Sequence, residues 1–312
     1  MDFLKVFTGA FVAFVQLFPY AVGASSWGYF GSDGPSHWSD VSATCGMSSQ
    51  SPINIVSIDT IMSSMDAFTL SKFDTTTGLS LNMVNNGHTA QLNIDGAAVK
   101  VSGGGLTADY NTAQLHFHWG KTDAEGSEHT VDGTRFPMEM HIVNYRATYT
   151  SVSDAAGHSD GLAVLGFFFE IGNTSHPGIQ KIVDVLSSIT DAGTNTTVTP
   201  FMLNELLPSS LDNFYRYSGS LTTPNCNEVV TWSVFPQSIK ITSSQMAVFR
   251  TLQSVEQNDD GNHNMYNNYR PVQAMGSRKL YANFNPNAGA RPSVHLSLSL
   301  LALLSCILSR MF

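Results

Sequence analysis

The chain has 312 residues, of which 42% are hydrophobic and 12% charged, and its formal net charge is −9 at pH 7. So large an apolar fraction excludes a disordered chain, and the length suffices for one large domain or two small ones. The acidic balance, the lack of any Lys/Arg run and the lack of a glycine-rich phosphate motif argue against nucleic acid and nucleotides as partners.

The first 24 residues have the features of a secretory signal peptide. Lys5 precedes an apolar run over residues 6–18, and the small residues at 22–24 offer a cleavage site. A buried N-terminal helix is the alternative interpretation. We therefore expect an exported protein whose mature chain begins near residue 25.

Short runs rich in β-branched and aromatic residues follow, separated by clusters of Gly, Asn and Asp. The predicted strands cover residues 79–84, 90–94, 113–119, 138–143, 162–171 and 229–235. The best candidate for a helix is 179–189. No internal repeat and no linker rich in Pro, Gly or Ser interrupts the pattern, so the sequence predicts a single, mainly β domain over residues 25–285.

Two of these predicted strands carry histidines on one face. In residues 114–119 (QLHFHW), alternation places Gln114, His116 and His118 on one face and apolar side chains on the other. Glu139 and His141 share a face in the same way. If the strands are neighbours, His141 completes a three-nitrogen cluster, and Gln114 and Glu139 can accept the spare ring N–H groups.

Three neutral imidazoles suit Zn²⁺ and leave its fourth position open, which is typical of a catalytic site and not of a closed structural one. The alternative is that these histidines are hydrogen-bonded members of the core.

Residues 157–161 (GHSDG) fit the G-x-S-x-G nucleophile pattern, but they lead into a predicted strand instead of a helix, so we expect a turn there. The sequence contains no H-E-x-x-H motif and gives no support for a zincin-type metalloprotease.

The C-terminal end carries a short apolar tail at residues 296–308 (LSLSLLALLSCIL). As a helix it would reach about 20 Å, short of the ~30 Å hydrocarbon core of a bilayer. Small residues at 287–290 and a short polar stretch at 291–295 precede it, so residues 286–312 resemble a GPI-attachment signal, which is removed on anchoring. A plain secreted protein and a true membrane helix are the alternatives.

Export also predicts a disulfide bond and two glycosylation sites. Cys306 would leave with the tail, so Cys45 and Cys226 remain as a pair in an oxidising compartment, and we predict that they are bonded. Asn173 and Asn195 each begin an N-x-[ST] motif and are predicted glycosylation acceptors in exposed loops.

Several longer motifs resemble those of the α-class carbonic anhydrases. The matching segments are 27–29 (WGY), 51–54 (SPIN), 86–88 (NGH), 114–120 (QLHFHWG), 126–132 (GSEHTVD), 139–141 (EMH), 220–224 (SLTTP) and 268–271 (NYRP). They occur in order over nearly the whole predicted mature chain. The resemblance implies one domain around a large, mostly antiparallel, twisted β-sheet with few short helices. It also implies reversible hydration of CO₂ to bicarbonate and a proton.

The resemblance implies a role for each matching residue. The zinc ligands would be His116, His118 and His141. Thr222 matches the residue that accepts the hydrogen of the attacking hydroxide and passes its own to Glu128, and Thr223 lies beside it. The apolar pocket for CO₂ would be formed by Val143, Val164, Leu221 and Trp232. The two cysteines also match the disulfide of extracellular members, which would hold the Thr222 loop in place.

By the same resemblance His88 matches the proton shuttle, because an imidazole with a pKa near ~6.5 can both accept and release a proton at neutral pH. Tyr29, Asn86 and Gln91 match polar positions around the water chain. Gln91 replaces an Asn that is common in the family, so we expect a different arrangement of water. The implied partners are CO₂, bicarbonate and water, with sulfonamides and small anions as inhibitors.

Two rival functions belong to other classes. A catalytically silent binding module is one, but silent relatives usually lack one or more ligand histidines, and here all three are present. A secreted zinc esterase is the other, but a pocket of Val and Leu offers no grip on an ester. We therefore expect an active extracellular enzyme, attached to the cell membrane through a GPI anchor or, alternatively, secreted in soluble form.

Overall fold

A computed structural model describes residues 27–287 of the chain. The predicted signal peptide, nearly all of the predicted C-terminal attachment signal, and Cys306 lie outside these residues. Within this range, no helix has the length and apolar character needed to cross a membrane.

The described residues form a large, mixed, mostly antiparallel sheet with a few short helices, and the predicted fold class is confirmed. The strands are β1 (Asn54–Ile55), β2 (Ile61–Met62), β3 (Phe68–Ser71), β4 (Leu79–Asn85), β5 (Ala90–Gly96), β6 (Lys100–Gly103), β7 (Tyr110–Trp119), β8 (Thr130–Val131), β9 (Met138–Arg146), β10 (Leu162–Ile171), β11 (Asn195–Val198), β12 (Tyr215–Gly219), β13 (Val230–Ile241) and β14 (Tyr281–Ala282). The helices are α1 (Trp38–Val41), α2 (Val152–Ala155), α3 (Pro177–Leu186) and α4 (Ser243–Phe249).

The main sheet runs in the order β11-β4-β5-β7-β9-β10-β13-β12-β14-β2, and β6 pairs with β7 and with β3 outside this order. Its neighbours are antiparallel except for the pairs β10–β13 and β14–β2, while β1 and β8 form a separate parallel pair. All six predicted strands are present, and β10 has the predicted bounds. The main differences in length are in β7, which begins three residues earlier than predicted, in β9, which ends three residues later, and in β13, which ends six residues later.

Helix α3 lies at the predicted helical segment but begins at Pro177, two residues earlier than predicted. Pro177 occupies the first turn, where its missing N–H costs nothing, and the His176 side chain accepts a hydrogen bond from Ile179 N at 3.2 Å. The helix buries an apolar face, and its last turn tightens into the 3₁₀ segment Ser187–Ile189. The GHSDG segment at 157–161 forms the predicted turn, between α2 and β10.

The central strands β7 and β9 divide the molecule into an apolar side and a polar side. Leu115 and Phe117 of β7 and Met140 and Ile142 of β9 are buried in the larger core cluster. Because side chains alternate along a strand, the residues between them point to the opposite face. That face is therefore anchored by a close-packed core directly behind it, which fixes the positions of its polar side chains.

Candidate metal centre

Three histidines meet on the polar face of the two central strands. β7 and β9 are antiparallel neighbours, and their register places His116 directly opposite His141. His118 lies two residues along β7, on the same face. One ring nitrogen from each of the three histidines lies within 4.8 Å of the others. The fold therefore brings the three histidines together as the strand alternation predicted.

One nitrogen of each ring is held by an acceptor behind the cluster. Gln114 Oε1 lies 2.9 Å from His116 Nδ1, and Glu139 Oε1 lies 2.8 Å from His141 Nε2. His118 Nδ1 lies 2.7 Å from the backbone oxygen of Asn268. Because these acceptors take up the ring N–H groups, the second nitrogen of each ring is free to offer its lone pair to a metal ion.

The protonation state of the cluster suits a metal. Burial, together with the neighbouring histidines, lowers the pKa of His116 well below its usual value. Burial also lowers the pKa of His118, although the charge of Glu128 opposes the effect. Neutral imidazole is the form that binds metal ions. Moreover, His118 Nε2 is buried without a hydrogen-bond partner, and its lone pair is therefore available to a bound cation. This donor set of three neutral nitrogens fits Zn²⁺.

A second group of possible ligands, His129, Glu139 and His141, is better described as a hydrogen-bonded network. His129 Nδ1 lies 2.7 Å from Glu139 Oε1, and His129 Nε2 lies 2.7 Å from the Tyr217 hydroxyl, so both ring nitrogens are already engaged. Glu139 Oε2 also accepts hydrogen bonds from the backbone N–H groups of residues 128 and 129. Burial alone would raise the pKa of Glu139, but His129 and His141 hold it well below its usual value.

Glu128 lies beside the metal-facing nitrogens of His118 and His141 and is fully buried. Its Oε1 accepts a hydrogen bond from Arg270 N at 2.8 Å, while its Oε2 lies 3.5 Å from His118 Nε2 and has no hydrogen-bond partner. Thr222 is also buried and lines the pocket in front of the cluster. No hydrogen bond joins Thr222 to Glu128 in the described residues, so their relay stays a prediction.

A cavity of about 150 Å³ opens in front of the three histidines. Its lining includes all the sequence-predicted pocket and water-chain residues: Tyr29, Asn86, His88, Gln91, Val143, Val164, Leu221, Thr222, Thr223 and Trp232. Trp27, Thr89 and Val152 line it as well and were missed. Three members of the apolar wall come from adjacent strands in register, because Val164 of β10 lies opposite Val143 of β9 and beside Trp232 of β13.

The predicted proton shuttle lies in the loop between β4 and β5. Asn86 Oδ1 accepts hydrogen bonds from the backbone N–H groups of His88 and Thr89, at 3.0 and 2.9 Å, and so fixes the turn. The His88 ring stacks on Trp27, and burial lowers the pKa of His88 to about 4. Gln91 lies close by and accepts a long hydrogen bond of 3.4 Å from Asn86.

Asn268 connects His118 and strand β7 with the His88 loop, and it was not predicted as a site residue. Its side-chain Nδ2 donates to the backbone oxygens of His88 and Phe117, at 3.0 and 3.2 Å, and its Oδ1 accepts from Trp119 N at 2.7 Å. The same residue holds His118 through its backbone oxygen. The only sequence signal was its place in the NYRP motif, which indicates no contact by itself.

Cys45 and Cys226 form the predicted disulfide, with Cα atoms 4.9 Å apart. Cys226 N donates to Thr223 O at 2.8 Å, so the bond is directly connected to the Thr222 loop. On the other side, the Arg270 guanidinium donates to the backbone oxygens of Cys45 and Ser51, each at 2.9 Å. The disulfide and Arg270 together fasten this loop to the N-terminal part of the domain.

The two predicted glycosylation acceptors are both exposed. Asn173 lies in the bend after β10. Asn195, which the sequence placed in a loop, is instead the first residue of β11 at the edge of the sheet, and its Oδ1 accepts a hydrogen bond from Asn82 at 3.3 Å. Whether either site carries a glycan stays a prediction.

Comparison with known proteins agrees with this geometry. The sequence model of the eukaryotic-type carbonic anhydrase family matches residues 33–284. The chain is 40% identical to carbonic anhydrase 7 of Homo sapiens over 266 residues, which cover 84% of this chain and 98% of the relative. It is 38% identical to carbonic anhydrase 4 of Oryctolagus cuniculus over 279 residues (88% and 87%) and 36% identical to carbonic anhydrase 12 of Homo sapiens over 299 residues (93% and 83%).

Proposed function

The chain belongs to the eukaryotic-type carbonic anhydrases, and we propose that it catalyses the reversible hydration of CO₂ outside the cell. Enzymes of this family depend on zinc and act on CO₂, bicarbonate and water. We propose that His116, His118 and His141 hold the Zn²⁺ ion. The observation that carries this proposal is the cluster of three ring nitrogens, each aimed away from its own acceptor into one apolar-walled cavity. The general effect of zinc, for which carbonic anhydrase is the standard example, is to lower the pKa of a bound water to about 7 and so supply hydroxide at neutral pH.

The cavity wall suits a small substrate without charge. Val143, Val164 and Trp232 form a continuous apolar row across three adjacent strands, with Leu221 beside them. Such a wall offers CO₂ a place next to the histidines without competing for its oxygens, while charged solutes gain nothing from it. We propose that this row holds CO₂ for attack.

Glu128 and Thr222 are proposed to orient the attacking oxygen. The buried Glu128 Oε2 needs a hydrogen-bond donor, and the Thr222 hydroxyl on the pocket wall is the group proposed to supply it. A hydroxyl that donates to Glu128 can only accept on its other side. Thr222 would therefore favour ligands that carry a proton to donate, which is how hydroxide is distinguished from most small anions.

Each turnover releases a proton, and His88 is proposed to carry it from the cavity to the solvent. His88 lines the cavity, and its loop is held by Asn86 and Asn268. Tyr29, Asn86 and Gln91 provide polar atoms along the same wall, where ordered water would relay the proton. Inhibition by sulfonamides and small anions follows from the same proposal, since both would compete for the metal.

We propose an extracellular location, at the cell membrane through a GPI anchor. The support is the predicted signal peptide, the predicted attachment signal at 286–312, and a disulfide of the kind that persists in oxidising compartments. Release of the protein from cells by phosphatidylinositol-specific phospholipase C tests the anchor. Retention on the cells after that treatment would contradict it.

The reaction is tested by stopped-flow CO₂ hydration on the protein purified from expressing cells, with zinc content measured on the same sample. We expect rapid hydration that is lost when zinc is removed and regained when it is restored. His118→Ala should lose both zinc and activity, whereas His263→Ala, which changes a histidine outside the cavity, should lose neither. Full zinc occupancy without hydration would make the protein a binding module.

A further inference from the structure

The free edge of the main sheet at β2 carries an exposed apolar surface. The side chains of Ile58, Ile61 and Met62 are 74%, 44% and 57% exposed. Within the described part of the chain, eight large apolar side chains are well exposed, and these three lie within five consecutive residues. A concentration of this kind points to an interaction surface, whereas single exposed apolar residues do not.

The described chain ends against the same surface. β2 is joined to β14 by hydrogen bonds from Ile61 N to Leu280 O at 2.8 Å and from Ser63 N to Ala282 O at 2.9 Å. Five residues after β14, Asn287 Nδ2 lies 3.4 Å from the backbone oxygen of Ser57, at the start of the turn that holds Ile58. A lipid anchor attached just beyond residue 287 would therefore leave the domain beside this apolar surface.

Basic and aromatic side chains adjoin the apolar surface. The register places Tyr281 beside Ile61 on one face of the sheet. Arg216, the next residue in that row, is buried and takes no part in the exposed surface. Arg278 and Lys279 follow on the segment that leads into β14, and with Arg216 and Tyr281 they line a cavity of about 260 Å³. Among the ion pairs of the described residues, none includes Arg278 or Lys279. Lys279 is exposed, and Arg278 is half-buried and donates hydrogen bonds to the backbone oxygens of Met275, Ser218 and Ala274.

We propose that this edge, comprising Ile58, Ile61 and Met62 with Arg278 and Lys279, docks onto the phospholipid bilayer that holds the anchor. The apolar side chains enter the headgroup region, and the two cations face the phosphodiester groups of the outer leaflet. This combination of apolar and basic groups is the one that interfacial membrane-binding surfaces use. Asp59 is exposed in the same turn, so the apolar side chains and not net charge carry the attraction.

The proposal rests on the proposed anchor, and the anchor explains why so small a surface suffices. Attachment beside the surface converts docking into an intramolecular step at high effective concentration, so weak contacts are enough to hold the domain down. Addition of a strand from a second copy is less well supported, because β2 has only two residues and offers little backbone for pairing.

Hydrogen–deuterium exchange on the full protein tests the docking. The anchored protein, purified in detergent, is reconstituted into vesicles of phosphatidylcholine, sphingomyelin and cholesterol and compared with the same protein after phospholipase C release. We expect the segments around residues 57–63 and 278–283 to exchange at least threefold more slowly when anchored. Segments around Met202 and Val255, which are also exposed and apolar, should exchange equally in both forms.

A matched pair of variants separates lipid contact from other causes of protection. Ile61→Ser with Met62→Ser should abolish the difference in exchange, and Met202→Ser should not. Equal exchange in the anchored and released wild-type protein would overturn the docking surface while leaving the anchor intact. Failure of phospholipase C to release the protein would overturn the anchor and the docking with it. Protection that grows with protein density in the vesicle, with cross-links between copies, would assign the surface to a second copy and overturn the lipid assignment.

Discussion

The imidazole ring of His88 lies flat against the indole ring of Trp27, with ring centroids 3.8 Å apart and an angle of 11° between the planes. This contact covers one face of the histidine and leaves its Nδ1 buried without a hydrogen-bond partner. A ring in this position avoids a positive charge, which is why burial lowers its pKa to about 4. Proton export by His88 therefore requires the ring to reach water, through movement of the ring or of its neighbours.

Replacement of His88 by alanine should slow CO₂ hydration in weak buffer by about 10- to 100-fold, because proton release then depends on solvent alone. Added imidazole should restore most of the rate. The measurement is stopped-flow hydration across a series of imidazole concentrations, with His37→Ala, an exposed histidine, as the matched control. A rate that is unchanged in His88→Ala would rule out the shuttle.

The lowered pKa of His88 also predicts how stability depends on pH. Between the unfolded value near ~6.5 and the folded value of about 4, the unfolded chain binds more protons at this residue than the folded protein does. The stabilising contribution is therefore fully present above the unfolded pKa and is lost as the pH falls towards the folded pKa. Urea unfolding of the zinc-saturated protein at pH 7.5 and 5.5 should show a larger acid-induced loss in wild type than in His88→Ala. Equal losses would mean that His88 is exposed in solution.

Glu128→Gln should reduce hydration by about 100-fold or more while leaving zinc content unchanged. The amide presents a donor where the carboxylate presents an acceptor, so the Thr222 hydroxyl would lose the partner that fixes its direction. Thr222→Val should cause a loss of similar size. The double variant should be little less active than either single variant, because both substitutions remove the same hydrogen-bond relay. Additive losses would show that the two residues act separately. Glu125→Gln, at an exposed carboxylate close by in sequence, is the control.

Gln114→Ala should weaken zinc binding by about 10- to 100-fold, because His116 Nδ1 loses the acceptor that fixes its ring. The measurement is competition with a chelator at equilibrium. Asn111→Ala changes another polar, partly exposed residue of β7 and should leave the zinc affinity as it is. An unaltered affinity in Gln114→Ala would show that the core packing behind β7 is enough to orient the ring.

Loss of the disulfide should affect both stability and the Thr222 loop. The bond closes a loop of 181 residues, and the chain-entropy estimate sets an upper limit of about 5 kcal/mol on its contribution. We expect Cys45→Ser with Cys226→Ser to lower the melting temperature by about 5–10 °C and to reduce hydration at full zinc occupancy. Full activity at an unchanged melting temperature would show that Arg270 and its neighbours hold the loop alone.

The strands that the sequence predicted best are those in which the order of apolar and polar residues matches the environment of each strand face. β7 and β9 alternate between large apolar and polar side chains because one face meets the core and the other lines the site. β12 escaped prediction because it carries Arg216 at a buried position, where the guanidinium is satisfied by the backbone oxygens of Trp232 and Gly104 and by Ser233, contacts made across the fold. β2 has only two residues and is defined by its pairing with β14, 220 residues further along the chain.

The same distinction applies to the site. Alternation alone placed His116 and His118 on one face, with Gln114 beside them. The contact of His118 with Asn268 spans 150 residues, and that of Glu128 with Arg270 spans 142. No local pattern encodes such contacts, so their positions became clear only from the three-dimensional structure. The roles predicted for Glu128 and Thr222 rest on the family resemblance alone.

The strand order β9-β10-β13-β12-β14-β2 also separates the metal centre from the edge where the described chain ends. Five strand spacings of about 4.8 Å place β9 and β2 about 24 Å apart along the sheet. At physiological ionic strength the potential of a charged lipid surface decays over ~8 Å. If the domain is held at its β2 edge, the metal centre therefore lies outside the local electric field of the lipids. Its turnover would then follow the pH of the bulk fluid, whatever the charge of the membrane.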